Sequence, residues 1–294
     1  MIRAAIYGLG NIGRYVFEAI TSCEDIKLIG IVSQSYREKQ FNGYPVVKNI
    51  QDLADVQVAI LCSGSMDTPD IAETLLSQGI CTVDSFDIHS EITEVRKRLA
   101  KAAKANNTAA VIAAGWDPGS DSVIRALFEA MAPRGLTYTN FGPGMSMGHS
   151  VAAKTIPGVK EALSMTIPLG TSVHRRNVYI ELEAGADANT VANAIKSHKY
   201  FCHDETHVIP VNDVNAIRDM GHGVDLTRKG ISGTTHNQNF QFKMSINNPA
   251  LTAQILVSCA RAVMLRTPGC YTMIEIPPID LLPGDREEII GRIV

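Results

Sequence analysis

The opening of the chain constrains its fold more than any other segment. Ile2-Arg3-Ala4-Ala5-Ile6-Tyr7 reads as a strand that runs straight into Gly8-Leu9-Gly10-Asn11-Ile12-Gly13. An amphipathic helix follows, with Ile12, Val16, Ala19 and Ile20 on one face, and Ile26 to Val32 supplies a second strand. Each glycine has a physical role in such a β-α-β unit. Gly8 permits the tight turn, Gly10 lets backbone approach a pyrophosphate, and Gly13 lets the helix pack on the strand. The helix amino terminus offers N–H groups and a positive dipole end to phosphates. A glycine triplet alone is often only a flexible loop; lying between strand and helix, it reads as a dinucleotide cradle contacted by Gly8, Gly10, Asn11, Ile12 and Gly13.

The end of the second strand bears on which dinucleotide. A site selective for NAD places Asp or Glu there, accepting from the ribose 2′-hydroxyl. This chain has Ser33-Gln34-Ser35-Tyr36-Arg37-Glu38 instead. Ser33, Gln34, Ser35 and Arg37 can surround a 2′-phosphate without repelling it, Glu38 opposing, so NADP is expected over NAD. Val58 to Cys62 reads as a further strand, and Cys62, Ser63, Gly64 and Ser65 at its carboxyl end complete the cofactor-facing set. A helix is expected from Thr68, with Pro69 in its first turn, where no N–H donor is needed.

Alternation continues through a strand at Ile80 to Asp84, a charged helix from about Ser90 to Ala105, and an apolar strand at Val111 to Ala114. That strand runs into Gly115-Trp116-Asp117-Pro118-Gly119, where Asp117 is read as a helix N-cap and Pro118 as the first helical residue. Trp116, Asp117 and Asp87 then fall at carboxyl ends of strands, where open α/β sheets bind their ligands. Further on the strand-like runs lengthen: 136–141, 162–168, 173–182 and 239–246, with one clear helix at 189–196 and a last helix from Asn248-Pro249 through Leu265. The expected fold is α/β: a Rossmann-type doubly wound parallel sheet with a second α+β domain for substrate binding and dimerisation. The expected division is residues 1–117 plus 271–294 for the dinucleotide and 118–270 for substrate and oligomerisation.

Composition narrows the class. At 294 residues and 45% apolar content the chain can bury two cores. A net charge of −3 gives no electrostatic reason to bind nucleic acid or an anionic membrane. No apolar run approaches the roughly 20 residues of a spanning helix, and a strand beginning at Ile2 argues against a cleaved leader. The six scattered cysteines contain no CxxC pair and read as reduced thiols of a cytoplasmic protein. His203 and His207 have metal-like spacing, but with no third ligand nearby no metal is expected.

Several polar groups in the later part exceed what packing needs. The glycine-rich loop Asn140 to Ser150 exposes backbone N–H groups suited to a carboxylate. Thr166 is placed at a strand tip, and alternation sends Arg175 and Arg176 to opposite faces, so that one can fork a carboxylate. His222 stands between two glycines, and Asn248 presents an amide at a helix start.

Taken together, these blocks resemble the meso-diaminopimelate dehydrogenase family over nearly the whole chain. The resemblance is carried by the Gly8 to Tyr15 opening, Val83 to His89, Ala114 to Gly119, Thr139 to His149, Ala162 to Pro168, Gly221 to Gly223, Asn247 to Thr252, and the endings at 268–272 and 277–280. The shorter length resembles the compact members, some of which accept other D-amino acids; paired arginines often found after the second strand are replaced here by Ser33-Gln34. The resemblance implies NADP-dependent reversible oxidative deamination of the D-centre of meso-2,6-diaminopimelate, serving lysine biosynthesis, by a homo-oligomer of two or more subunits. It implies catalytic roles for Asp87 and Asp117, walls at Trp116 and Phe141, and a distal pocket of Met147, Gly148, Thr166, Arg176, His222 and Asn248. A dihydrodipicolinate reductase would need a Glu-His-His block with a nearby lysine, which this chain lacks; a non-catalytic NADP sensor would leave its concentrated Asp, Trp, Arg and His without a role.

Overall fold

A computed structural model describes residues 1–219 and 221–294. The chain divides into two compact units: Met1–Val123 with Pro249–Val294, and Ile124–Asn248.

The first unit begins β1 (Ile2–Tyr7), α1 (Asn11–Thr21), β2 (Ile26–Val32), β3 (Gln40–Phe41) and β4 (Tyr44–Val47). It continues β5 (Val58–Leu61), α2 (Thr68–Ser77), β6 (Cys81–Asp84), α3 (Ile92–Ala105) and β7 (Ala109–Val111), and the chain leaves the unit within α4 (Ser120–Met131). The second unit contains β8 (Arg134–Phe141), β9 (Gly144–Met145), α5 (Met147–Lys154), β10 (Val159–Gly170), β11 (Val173–Leu182), α6 (Ala188–Ser197), β12 (Glu205–Pro210), β13 (Gly221–Ser232) and β14 (Thr235–Asn247). The chain then returns to the first through α7 (Asn248–Val263), β15 (Gly269–Tyr271) and α8 (Arg286–Ile293).

The first unit's sheet has the order β15-β7-β6-β5-β1-β2-β4-β3, parallel except for the β3–β4 pair. Its strands are apolar on both faces because helices cover both. Ile6, Ile31, Ile60 and Val111 share one core with Val16 and Ile20 of α1 and Leu256 and Val257 of α7. Leu61, Ala110 and Ile112 share the other with Leu75 and Leu76 of α2 and Leu99 of α3. Each fully buried Leu or Ile contributes about 1.5–3 kcal/mol of transfer free energy.

The strand read at 111–114 is β7 at Ala109–Val111, because Ala113 takes a φ of +53° and turns the chain out of the ladder. Asp117 and Pro118 do not start a helix. The N–H groups of Ser120 and Asp121 donate to the carbonyls of Gly115 (3.1 Å) and Trp116 (3.0 Å), so helix α4 opens at Ser120. The return to the first unit comes at Pro249 rather than residue 271, since α7 buries Ala253, Leu256, Val257 and Ala260 in that unit's core. Finally, Thr166 lies inside β10 and is 1% exposed, not at a strand tip, because the ladder with β11 continues to Gly170.

The second unit is α+β, with a four-stranded sheet in the order β12-β11-β10-β9 and a three-stranded antiparallel sheet in the order β14-β13-β8. The glycine-rich segment expected as one loop holds the end of β8, all of β9 and the start of α5, a helix whose Ala152 and Ala153 are buried with Val178 and Ile180.

Candidate active site

The cradle in the first unit has the geometry its glycines require. Gly8 has a φ of +106°, and a Cβ there would lie 2.9 Å from the Cys62 carbonyl oxygen. A Cβ on Gly13 would lie 2.0 Å from the Gly8 carbonyl oxygen, so only hydrogen fits where α1 meets the loop. Gly10 is the opposite case, with no heavy atom within 4 Å of an added Cβ. Asn11, Ile12 and Gly13 form the first turn of α1, which carries no acidic residue and no side-chain cap. An unblocked positive helix end facing open space fits a pyrophosphate.

At the end of β2, Ser33 is buried and its hydroxyl accepts from the Tyr36 N–H at 3.2 Å. The Gln34 amide donates to the Lys48 carbonyl at 2.7 Å. Lys48 was not singled out from the sequence, yet its ammonium donates to the carbonyls of Ser33, Gln34 and Tyr36, each at 2.9 Å. A cation therefore organises the loop that carries Ser33, Gln34, Ser35 and Arg37, and no strand-end carboxylate opposes a phosphate there. The cradle as built fits the phosphates of a dinucleotide. After β5, Ser63 hydrogen-bonds Thr68 at 3.0 Å between hydroxyls, and burial keeps the Cys62 thiol protonated by raising its pKa.

Ser65 is tied to the segment after β6: its hydroxyl donates to Asp87 Oδ1 at 2.6 Å, and the Asp87 N–H donates back to Ser65 Oγ at 3.2 Å. Asp87 follows β6 and is half-buried, as is Asp117, while Trp116 is 6% exposed. Because β6 and β7 are adjacent and parallel, the segments carrying Asp87 and Asp117 leave the same edge of one sheet. Asp84 ties them together. Its Oδ1 accepts from Phe86 N–H at 3.0 Å, its carboxyl also takes the Ala113 N–H, and its carbonyl accepts from Ala114 N–H at 2.8 Å. Burial pushes the Asp84 pKa up to about 7, and its Oδ2 has no hydrogen-bond partner. A buried acid at a strand end looks apolar in context, so sequence gave no signal for this brace.

In the second unit, strand register gathers the other candidates. Thr166 lies opposite both Arg176 on β11 and Gly144 on β9. Arg176 Nη1 donates to Thr166 Oγ1, and its Nε donates to Asp204 Oδ2 at 2.7 Å. Gly144 is the close-approach glycine here: a Cβ would fall 2.5 Å from His222 Cα. His222 is buried, and burial first, then Arg176 and His174, lower its pKa to about 4. The buried Asn248 amide donates to the Met145 carbonyl at 2.9 Å. Met147 and Gly148 open α5 and are half-buried.

Phe141 ends β8 and is held by groups the sequence did not reveal. Its N–H donates to His174 Nε2 at 2.8 Å, the two rings lie 5.5 Å apart, and the Arg125 guanidinium sits 5.7 Å from the Phe141 ring centre. The accepting Nε2 places the proton of neutral His174 on Nδ1. Arg175 is engaged differently from Arg176, its guanidinium 3.9 Å from Glu205. Glu205 also lies 2.6 Å from His207 Nε2, and among the described residues no group of three or more His, Cys, Asp or Glu is placed to hold a metal ion. Among the same residues no helix is long and apolar enough to cross a membrane.

A nucleotide cradle whose own sheet edge also carries half-buried carboxylates defines a Rossmann-type oxidoreductase. Comparison with known proteins narrows the class. Residues 115–173 match the family model of the diaminopimelic acid dehydrogenase C-terminal domain. The chain is 58% identical over 296 residues to meso-diaminopimelate D-dehydrogenase from Bacteroides fragilis, covering 100% of this chain and 99% of that protein. Among solved structures, the C. glutamicum DAP dehydrogenase in complex with DAP matches with a TM-score of 0.90 and 31% identity, covering 100% of this chain and 99% of that one. An engineered D-amino acid dehydrogenase bound to NADP+ matches with a TM-score of 0.89 and 29% identity, over 100% of this chain and 99% of that one. The chain belongs to the meso-diaminopimelate D-dehydrogenase family and is an amino-acid dehydrogenase using a nicotinamide cofactor.

Proposed function

We propose that this chain catalyses the reversible NADP-dependent oxidative deamination of the D-centre of meso-2,6-diaminopimelate, giving L-2-amino-6-oxopimelate and ammonia. The observation that carries the reading is the pair of half-buried carboxylates, Asp87 and Asp117, on the sheet edge that also bears the cradle. NADP, when bound, supplies the nicotinamide that takes the hydride from the D-carbon. Asp87 and Asp117 hold the D-centre ammonium, and Trp116 walls it. Two carboxylates beside an ammonium favour its charged form, so their first task is to orient the carbon–hydrogen bond. The amine then passes a proton to one of them, to a histidine or to a water before hydride leaves, and water releases ammonia from the imine.

The L-amino-acid end of the substrate is assigned to Thr166, Arg176, His222 and Asn248, with Met147 and Gly148 lining the pocket; Phe141 is assigned with Trp116 to the wall at the D-centre. His222, neutral at physiological pH, acts there as a hydrogen-bonding group without charge. Ser33, Gln34, Ser35 and Arg37 are assigned to the 2′-phosphate, and Gly8, Gly10, Asn11, Ile12, Gly13, Cys62, Ser63 and Gly64 to the rest of the dinucleotide. Ser65 is assigned to both the cofactor edge and Asp87. Family membership supports a cytoplasmic homo-oligomer working in lysine biosynthesis.

The test is NADPH formation at alkaline pH with meso-diaminopimelate, with LL-diaminopimelate, D-alanine and D-lysine in parallel and NAD compared with NADP. Turnover of the meso form with NADP is expected. Comparable rates on simple D-amino acids would make this a broad D-amino-acid dehydrogenase, and tighter binding of NADH than NADPH would overturn the cofactor assignment.

A further inference from the structure

Arg176 is not a lone cation. Its Nε is taken by Asp204 Oδ2 at 2.7 Å, and its Nη1 by Thr166 Oγ1. Asp204 lies just before β12, whose first residue, Glu205, pairs with Arg175. The ion pair is only partly exposed, with side-chain exposures of 17% for Arg176 and 31% for Asp204. His174 and His222 both feel the Arg176 charge, and burial with that charge keeps them neutral, so they add no second cation.

A guanidinium carries five N–H donors and a carboxylate two acceptor oxygens. With Nε and one Nη1 hydrogen committed, Arg176 keeps a pair of donors on Nη2. With Oδ2 committed, Asp204 keeps Oδ1 as an acceptor. An Arg–Asp pair has no net charge, so it draws a simple carboxylate less strongly than a free guanidinium would. It is matched instead to a ligand that carries both signs on adjacent atoms.

We infer that Asp204 and Arg176 together recognise the distal end of the substrate as a zwitterionic α-amino acid, Arg176 taking its carboxylate and Asp204 its ammonium. The inference rests on the reading that Arg176 faces that end. It makes Asp204 a specificity residue: it separates a distal amino acid from a distal carboxylic acid.

The experiment measures kcat/KM of the full chain and of Asp204→Asn and Asp204→Ala. The substrates are meso-diaminopimelate, D-2-aminopimelate (no distal amine) and D-lysine (no distal carboxylate), with an inhibition constant read for any that is not turned over. Asp204→Asn keeps an oxygen for Arg176 Nε but loses the charge. It is expected to reduce the preference for meso-diaminopimelate over D-2-aminopimelate about tenfold, the value of one charged hydrogen bond. Equal losses on both compounds would mean that Asp204 only orients Arg176, and an unchanged preference would mean it does neither; either overturns the inference. Arg176→Lys separates the underlying reading. It should weaken both compounds with a distal carboxylate relative to D-lysine, and a uniform effect on all three would remove Arg176 from the distal end.

Discussion

Ser65 and Asp87 are joined by reciprocal hydrogen bonds, the Ser65 hydroxyl donating to Asp87 Oδ1 at 2.6 Å and the Asp87 N–H donating back at 3.2 Å. The turn after β5 thus fixes the carboxylate that follows β6. Hydrogen bonds to charged groups are worth roughly 1.5–3 kcal/mol. Ser65→Ala is therefore expected to lower kcat roughly 10- to 100-fold if Asp87 must be held for hydride transfer. Steady-state kinetics with both substrates varied checks this. A rise confined to the KM for NADP would assign Ser65 to the cofactor alone.

Asp117 leaves the sheet next to Asp87 but on a different segment, beyond Gly115 and Trp116. Removing its carboxylate should abolish deamination while leaving the cradle untouched. For Asp117→Ala the expected result is no detectable NADPH formation together with a wild-type NADPH dissociation constant by fluorescence titration. Turnover at the wild-type rate would refute its assignment.

Two glycines of the cradle should fail in different ways. Gly13→Ala sets a Cβ 2.0 Å from the Gly8 carbonyl oxygen, so the backbone must move, at a cost of about 1–3 kcal/mol. Gly10→Ala meets no protein atom within 4 Å and keeps an ordinary φ of −83°. Its methyl group obstructs only what approaches from outside. Thermal melts with NADPH titrations should show a lowered Tm for Gly13→Ala. For Gly10→Ala they should show a near-normal Tm with at least roughly tenfold weaker NADPH binding. Normal NADPH affinity in Gly10→Ala would move the pyrophosphate elsewhere.

The parts of this molecule that were legible in its sequence are those governed by local rules. The β1–α1–β2 unit, the sheet edge bearing Asp87 and Asp117, and β11 at Val173–Leu182 follow from periodicity and glycine spacing. What local rules could not supply were partners far apart in sequence. Asp204 reaches Arg176 from 28 positions away, Lys48 closes the Ser33 loop from 15, and His174 holds Phe141 from 33. The apolar run through Ala114 hid the end of β7, since buried ladder and buried connector have the same composition, and only the +53° φ of Ala113 separates them. Asn140 to Ser150 looked like a loop because its glycines masked the short helix α5.

Asp84 provides the pH signature of the fold. It is 1% exposed, and burial raises its pKa from the ordinary 3.8 to about 7, the Phe86 and Ala113 N–H groups opposing the shift. Between about pH 4 and 7 the folded protein keeps this proton and the unfolded chain has released it. The folded state binds more protons there, so this residue's contribution falls as pH rises through that window, by roughly 4 kcal/mol in all. Asp84→Asn keeps an oxygen for the two N–H donors and cannot titrate. The amide it introduces where Oδ2 lacks a partner adds a penalty that does not vary with pH. The Tm of the variant minus that of the wild type should therefore climb by several degrees between pH 4.5 and 8, measured by calorimetry in matched ionic strength. A difference that stays flat across that range would mean Asp84 is already ionised in the folded protein, and that its brace between the two carboxylate-bearing segments is an anionic one.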